Sequence, residues 1–208
     1  MRRARCATVL MFGAGLAGCA AMSQRECQLG DWHTAGFDDG VRGASMTRVA
    51  GYRKACSKYN ISPDLEAYRS GYDLGLETYC RDSNGFAVGA RGAVYEGVCP
   101  TALEGPFLNG FRQGHHLYEL QSAVSGIDGQ IAGRRHQLHE VEERLAETQA
   151  QIISDSTPAD QRAALLVKAY ELSERHGRLE SEIVELERSL GAQQEELRRF
   201  RESLAYNQ

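Results

Sequence analysis

Residues 117–152 read LYELQSAVSGIDGQIAGRRHQLHEVEERLAETQAQI, and the period of this stretch decides the fold. Apolar side chains recur in steps of three and four at Leu117, Leu120, Val124, Ile127, Ile131, Leu138, Val141, Leu145 and Ile152, with Arg134 and Thr148 at the two polar places. Beyond Ser154-Asp155-Ser156-Thr157-Pro158 the seam resumes at Leu165, Ala169, Leu172, Leu179, Ile183, Leu186, Leu190, Leu197, Phe200 and Leu204, with His176 and Gln193 as its polar members. Heptads sustained over this length specify a coiled coil. A link of a few residues, with a proline suited to the first turn of the next helix, folds the two helices into an antiparallel hairpin. Folding at the centre of the link sets Leu138 against Leu172, Ile131 against Leu179 and Leu120 against Leu190. It also sets Arg134 against His176 and Gly133 against Gly177, a polar layer of the kind that fixes register. At 1.5 Å per residue the arms extend on the order of 50 Å, and Leu197 to Leu204 are expected to lie beside Phe107 and Phe111.

The chain has 208 residues, 42% hydrophobic and 25% charged, with 22 Gly, 4 Pro and 6 Cys. This composition excludes a collagen, a fully disordered chain and a polytopic membrane protein. The glycines concentrate between Gly30 and Gly114, together with most of the aromatics, while Leu, Glu, Arg, Gln and Ala dominate after residue 117. That shift separates a head, residues 27–116, from the hairpin, residues 117–208, whose loop falls at about 154–158. The predicted fold class is mainly α: a small head of short helices and turns, followed by a long antiparallel coiled-coil hairpin.

Within the head one pattern recurs: Gly36-Phe37-Asp38-Asp39-Gly40, Gly71-Tyr72-Asp73-Leu74-Gly75, Gly85-Phe86-Ala87-Val88-Gly89 and Gly110-Phe111-Arg112-Gln113-Gly114. Glycines four apart share a helix face, where another backbone approaches closely and the aromatic fills the adjoining space. Ser62-Pro63-Asp64 reads as a helix start with Ser62 as cap, opening a helix to about Cys80 with Leu65, Tyr68, Tyr72, Leu76 and Tyr79 inward. A preceding helix is expected over 44–59, and turns with a short β-hairpin over 84–100.

The N-terminus is an address. Arg2, Arg3 and Arg5 precede an apolar run, residues 7–16, too short to span roughly 30 Å of hydrocarbon, as in a secretory signal. The run ends in Leu16-Ala17-Gly18-Cys19, which resembles the lipobox of bacterial lipoproteins. That resemblance implies a signal peptide over 1–18, acylation of Cys19 with palmitate-type chains, and an anchor linker over 19–26. Ala20, where an aspartate would retain a lipoprotein in the inner membrane, implies sorting to the periplasmic leaflet of the outer membrane. Removing the signal's three arginines takes the formal charge from −4 to −7, which disfavours nucleic acid as a partner. Cys27, Cys56, Cys80 and Cys99 remain for an oxidising compartment. Of three connectivities, Cys27–Cys56 with Cys80–Cys99 closes the shortest loops, each bridge contributing about 3 kcal/mol in the loop-entropy account. No two of these cysteines have the spacing of a zinc site.

At these residues the chain resembles a family of uncharacterised Gram-negative lipoproteins, the domain of unknown function numbered 2799. The pattern is Asp31-Trp32 with Gly36, Asp39 and Gly43, then Tyr68, Gly71 and Gly75 leading to Tyr79-Cys80. It continues through Asn84-Gly85-Phe86 with Gly89 and Gly92, and ends in Tyr95-x-Gly97-Val98-Cys99-Pro100. The resemblance implies an envelope lipoprotein and brings no activity, and it does not reach the long helices.

No catalytic signature accompanies these features. Asp31, His33, Asp38, Asp39 and Asp73 are the acids and imidazole considered for hydrolysis. Asp31 and Asp39 read more economically as a helix cap and as a hydrogen-bond partner of backbone near the glycines. His115 and His116 are adjacent and do not form an i, i+4 metal pair; His136, His139, Glu140 and Glu143 read as a solvated face. The expectation is therefore a non-enzymatic envelope protein with no cofactor and no metal. It would be anchored by Cys19 and would contact a protein partner through the coiled coil, whose heptads can also zip between chains into a homo-oligomer. The alternatives are a peptidoglycan- or glycan-binding module and a periplasmic hydrolase.

Overall fold

The structure, a computed structural model, describes residues 22–206 and is entirely helical there, apart from turns and loops. Cys19 and the residues read as a signal, 1–18, lie outside the described residues. Seven helices follow one another: α1 Gln24–Leu29, α2 Trp32–Val41, α3 Arg48–Ser57, α4 Leu65–Tyr79, α5 Asp82–Ala90, α6 Thr101–Ile153 and α7 Ala159–Tyr206. The chain divides into two compact units. One comprises residues through Arg81 with Glu96–Glu104, the other Asp82–Tyr95 and the chain from Gly105. Helix α6 is continuous through residue 117, where the composition changes.

In the first unit α1 opens with a capping box, Ser23 Oγ accepting from the Glu26 N–H while the Glu26 carboxylate accepts from the Ser23 N–H. Asp31 caps α2 by accepting from Thr34 N–H at 3.1 Å. Helix α4 begins later than Ser62 predicts. Asp64 is the cap, accepting from the Glu66 and Ala67 N–H groups at 3.0 Å, because a carboxylate reaches two amides at once. Leu65 consequently sits in the first turn on the outer side, 46% exposed, whereas Tyr68, Tyr72, Leu76 and Tyr79 are buried as expected.

Helices α2 and α4 meet through glycine. A Cβ placed on Gly36 would stand 2.0 Å from the Tyr68 carbonyl oxygen and one on Gly40 2.3 Å from that of Tyr72; reciprocally, Gly71 faces the carbonyl of His33 at 1.9 Å and Gly75 that of Phe37 at 2.4 Å. Residue numbers rise together along both helices, so they run parallel, backbone against backbone, with glycine Cα–H groups directed at carbonyls. A parallel pair requires a crossover, and α3 with its flanking turns supplies it. The Cys27–Cys56 disulfide, Cα–Cα 5.6 Å, joins this crossover to the segment before α2.

The second unit repeats the construction. The stretch 84–100, expected as turns and a β-hairpin, contains α5 instead. Its glycines are not turn formers: a Cβ on Gly85 would stand 2.1 Å from the Phe107 carbonyl oxygen and one on Gly89 2.2 Å from that of Phe111, while one on Gly110 would stand 2.1 Å from that of Asp82 and one on Gly114 2.0 Å from that of Phe86. Helices α5 and α6 therefore also run parallel. Gly36, Gly40 and Gly43 correspond in spacing to Gly85, Gly89 and Gly92; Tyr68, Gly71, Tyr72, Gly75 and Tyr79 correspond to Phe107, Gly110, Phe111, Gly114 and Tyr118. Gly43 and Gly92 both have positive φ, and the space a Cβ would take is filled by the rings of Tyr79 and Tyr118 respectively. Tyr68 and Tyr72 stack with centroids 6.2 Å apart, Phe107 and Phe111 with centroids 6.3 Å apart. Cys99, in the second crossover, bonds Cys80 just ahead of α5. The chain thus contains the same stapled parallel pair twice.

Helices α6 and α7 form the antiparallel pair, and every seam position from Leu117 to Ile152 and from Leu165 to Leu204 is buried or half-buried. The register differs from the expectation by about one heptad. Val141 packs with Leu172 and Leu179, flanked by Leu138 and Leu145, and Phe200 meets His116 edge-on at 4.6 Å rather than lying beside Phe107 and Phe111. Arg134 pairs with Glu182 at 2.6 Å and His176 with Glu142 at 3.3 Å, so the polar layer of Arg134 against His176 does not form. The chain folds back one turn into α7, where Arg162 donates to the Ser154 carbonyl at 2.9 Å. Long polar side chains at the seam bend outward to carboxylates on the partner helix, so no matching polar layer is needed.

Gly71→Ala is expected to destabilise by at least about 3 kcal/mol, because its methyl would overlap backbone that no rotamer change relieves. Gly51→Ala, in α3 with nothing within 4 Å, stabilises by about 0.5–1 kcal/mol; urea unfolding distinguishes the two. A double-mutant cycle on Arg134 and Glu182 gives a coupling of about 0.3–1 kcal/mol, and the same cycle on Arg134 and His176 gives none.

Candidate functional site

The head's only fully buried carboxylate among the described residues is Asp39, at 0% exposure. It lies on α2 one residue before Gly40, so the closeness of α2 and α4 that glycine permits also brings α4's Tyr68 over it. Asp39 Oδ2 accepts from the Tyr52 hydroxyl at 2.8 Å and the Tyr68 hydroxyl at 2.9 Å. Oδ1 lies 3.1 Å from Arg42 Nη2 and 3.2 Å from Arg48 Nε. Arg48 also donates to the Tyr52 hydroxyl at 3.1 Å. Two arginines with exposed ends thus balance one buried charge, and two phenols complete its hydrogen bonding.

This arrangement corrects one expectation: Asp39 is bound by the side chain of Arg42, just past α2, and by side chains of α3 and α4, and not by backbone near the glycines. Chemically it is closed. A carboxylate whose lone pairs are all taken by the protein's own donors has none left for a substrate proton or an electrophile. Burial holds the Tyr68 hydroxyl well above the ordinary tyrosine range, the bond to Asp39 adding to the effect. Burial raises Tyr52 and Tyr72 as well, and the Tyr72 hydroxyl donates to the Ala44 carbonyl at 2.7 Å.

The second unit carries an apolar version of the same place. Val88, 3% exposed, stands where Asp39 does, and Phe107, fully buried, stands where Tyr68 does. Tyr95 packs on Phe107 with centroids 4.8 Å apart, as Tyr52 packs edge-on to Tyr68 at 6.2 Å. Acceptor and donor are absent together, so neither leaves a buried polar group unpaired.

The remaining sequence candidates do not converge on one place. His33, Asp38 and Asp73 are exposed, Asp38 pointing away from its neighbour Asp39. His115 and His116 both turn to Glu119, at 3.3 and 3.6 Å. His136 pairs with Glu140 at 3.5 Å and His139 with Glu143 at 3.3 Å, each along its own helix. No cluster of three or more His, Cys, Asp or Glu able to hold a metal occurs among the described residues. Of the motif positions, Trp32, Gly36, Tyr68, Gly71, Gly75, Tyr79, Gly85 and Gly89 are buried in the helix pairs; Gly43 shapes a turn, and Gly97, with φ 70°, turns the second crossover. Tyr52 as a donor to Asp39 was not read from the sequence. Its signal was Arg48 four residues earlier, in a helix otherwise without a role.

The fold and this cluster define a class: a small disulfide-bonded helical domain built from two glycine-faced parallel helix pairs. Residues 31–116, less than half of the chain, match the model of a family described as protein of unknown function (DUF2799). The match contains both parallel pairs and ends where the coiled-coil seam begins. Neither a curated protein nor a solved structure matches the chain.

Asp39→Val alone is expected to cost about 3 kcal/mol or more, leaving two buried hydroxyls without their acceptor. Adding Tyr68→Phe recovers about 1 kcal/mol or more, and a denaturation cycle measures the difference. With Tyr68 raised in the folded state, the native chain keeps a proton that the unfolded chain releases. Stability is therefore full below pH 10 and falls as pH rises beyond it, with a shallower fall in Tyr68→Phe.

Proposed function

We propose that this protein is an outer-membrane lipoprotein with a non-enzymatic role in the cell envelope. In this reading its lipid on Cys19 holds the head at the periplasmic leaflet and its coiled coil contacts a protein partner. The observation that carries the reading is the joining of a lipobox, Leu16 to Cys19, to a 53-residue and a 48-residue helix whose apolar seam is consumed between them. Such a hairpin supports itself and leaves its outer faces for something else. Supporting the non-enzymatic part, the most buried acid of the head is spent on its own scaffold.

One outer face is suited to a partner. On α7 near the loop, Leu166, Val167 and Tyr170 are 58, 60 and 65% exposed, and Tyr170 lies one turn beyond the adjacent Leu166 and Val167 on the side away from the seam. Apolar residues grouped this way mark a contact surface more often than a single exposed leucine does.

Two measurements test the proposal. The mature N-terminal peptide is expected to carry acylated Cys19, with palmitate incorporation lost in Cys19→Ala; wild-type protein that takes up no label overturns the anchor. Photocrosslinking in cells from residues 154–158 is expected to give a discrete adduct that Leu166→Asp with Tyr170→Asp removes. An adduct indifferent to that pair of changes removes the coiled coil from the contact.

A further inference from the structure

The two parallel pairs differ most in their crossovers, and the difference is one of charge. The first crossover, from Val41 to Pro63, contains Arg42, Arg48, Arg53, Lys54 and Lys58 and no acidic residue; the second, from Arg91 to Pro100, has one basic residue and one acidic. Arg42 and Arg48 are engaged by buried Asp39. Arg53 and Lys54 on α3 and Lys58 at its C-terminal cap are exposed, while Tyr52, Ala55 and Cys56 face the core. Arg53 and Lys54 form no ion pair among the described residues, and Lys58 lies over the Tyr59 ring at 5.0 Å. This cationic face belongs to a chain whose processed form is strongly acidic.

Its position in the covalent structure is specific. Cys56 lies within this basic turn and is bonded to Cys27, and Cys27 is eight residues from Cys19. Even fully extended, eight residues reach about 27 Å, and Gln24 to Cys27 are already helical. The disulfide therefore keeps the basic face of α3 on a short leash to the residue read as lipidated. On the same short helix, α1, Leu29 is 70% exposed.

We propose that Arg53 and Lys54 of α3, with Lys58 at its C-terminal cap, form a docking surface for the phosphate-bearing headgroups of anionic phospholipid, laying the first unit against the leaflet that holds its anchor. This rests on the reading of Cys19 as acylated. The occupant is chosen by charge and by distance. Attraction to an anionic surface falls off within a Debye length of about 8 Å at physiological salt, so a cationic face acts on lipid at close range, and a tether beside it keeps this one there. Each basic residue near such a surface strengthens association roughly fivefold, and three together on the order of a hundredfold. The second crossover, without the longer basic insert, lacks this capacity.

The chain has three lysines, Lys54, Lys58 and Lys168, which allows a direct test. Purified full-length processed protein is reconstituted into vesicles of phosphatidylethanolamine and phosphatidylglycerol, 3:1, or of phosphatidylcholine alone, and labelled with a membrane-impermeant amine acylating reagent. Lys54 and Lys58 are expected to label about fivefold or more slowly in the anionic vesicles, to regain their rate at high salt, and to do so while Lys168 of α7 stays constant. Equal rates in both vesicles, slowing of all three lysines together, or protection by purified sacculi but not by vesicles overturns the proposal. The mass of the N-terminal peptide reports acylation in the same sample, so loss of the anchor reading is seen separately. In that case the unacylated protein must still float with the anionic vesicles and lose about a hundredfold in binding in the exposed triple variant R53E/K54E/K58E; failure to float overturns the headgroup surface.

Discussion

The structure of the head depends on helix backbones touching. Where α2 meets α4, and again where α5 meets α6, glycine Cα atoms lie against carbonyl oxygens at distances a methyl group could not occupy. Parallel helices bring no favourable end-to-end dipole arrangement, and short ones of 9 to 15 residues do not persist alone in water. Close approach offsets this by letting the flanking rings cover both helices and by multiplying dispersion contacts and weak Cα–H···O bonds. Two consequences follow. A parallel pair needs a crossover, and a crossover in so small a unit has little core of its own, so each is tied by a disulfide to the segment that precedes its pair. The cysteines and the glycines thus answer one constraint.

The same approach determines what the buried interior can hold. In the first unit the crossover is long enough to contain α3, which supplies Tyr52 and Arg48 to Asp39. In the second the crossover is shorter, α3 has no counterpart, and the equivalent place holds Val88 and Phe107. A buried carboxylate needs donors on several sides, so the polar version exists only where the longer connection provides them. The polar cluster is accordingly best understood as the means by which α3 is fastened down on the glycine-faced pair. Its phenols and carboxylate satisfy one another and leave nothing directed at solvent.

Much of this was legible in the residues, for identifiable reasons. Heptad spacing alone located the paired stretches of both long helices and their seam positions, since periodicity is a property of one strand of chain; it is silent on the first sixteen residues of α6, which precede the seam. The recurring glycine pattern disclosed close helix packing, and short loop closure favoured the disulfide pairing that the structure contains. What could not be read was relational. Glycine at Gly85 and Gly89 looks the same to local propensity whether it breaks a helix or faces another one, so the spacing predicts turns where α5 stands. Direction was hidden too, because glycine spacing is identical for parallel and antiparallel partners. The register of α6 against α7 slipped for a similar reason: Arg134 and His176 coincide on paper, yet a flexible cation at a two-helix seam escapes sideways to Glu182 and imposes no matching layer.

The duplication also orders the functional argument. Of the two pairs, the one nearer the N-terminus contains the charged carboxylate and a cationic connector, while the one continuous with the long helices is apolar inside and feeds α6 directly from its glycine face into the coiled-coil seam. Within α6 the glycine-faced section ends at Gly114 and the leucine seam starts at Leu117, so a single helix is held first by backbone contact and then by side-chain packing. Two different modes of fixing one helix give it a definite rotational setting along its length, because the glycine face and the heptad face are separated by only a turn. The outward faces of the hairpin, including Leu166, Val167 and Tyr170, are therefore set by α6 packing into α7, and α6 is set in turn by Gly110 and Gly114. Substitution in the glycine face of the second pair should reach the coiled coil through this one helix.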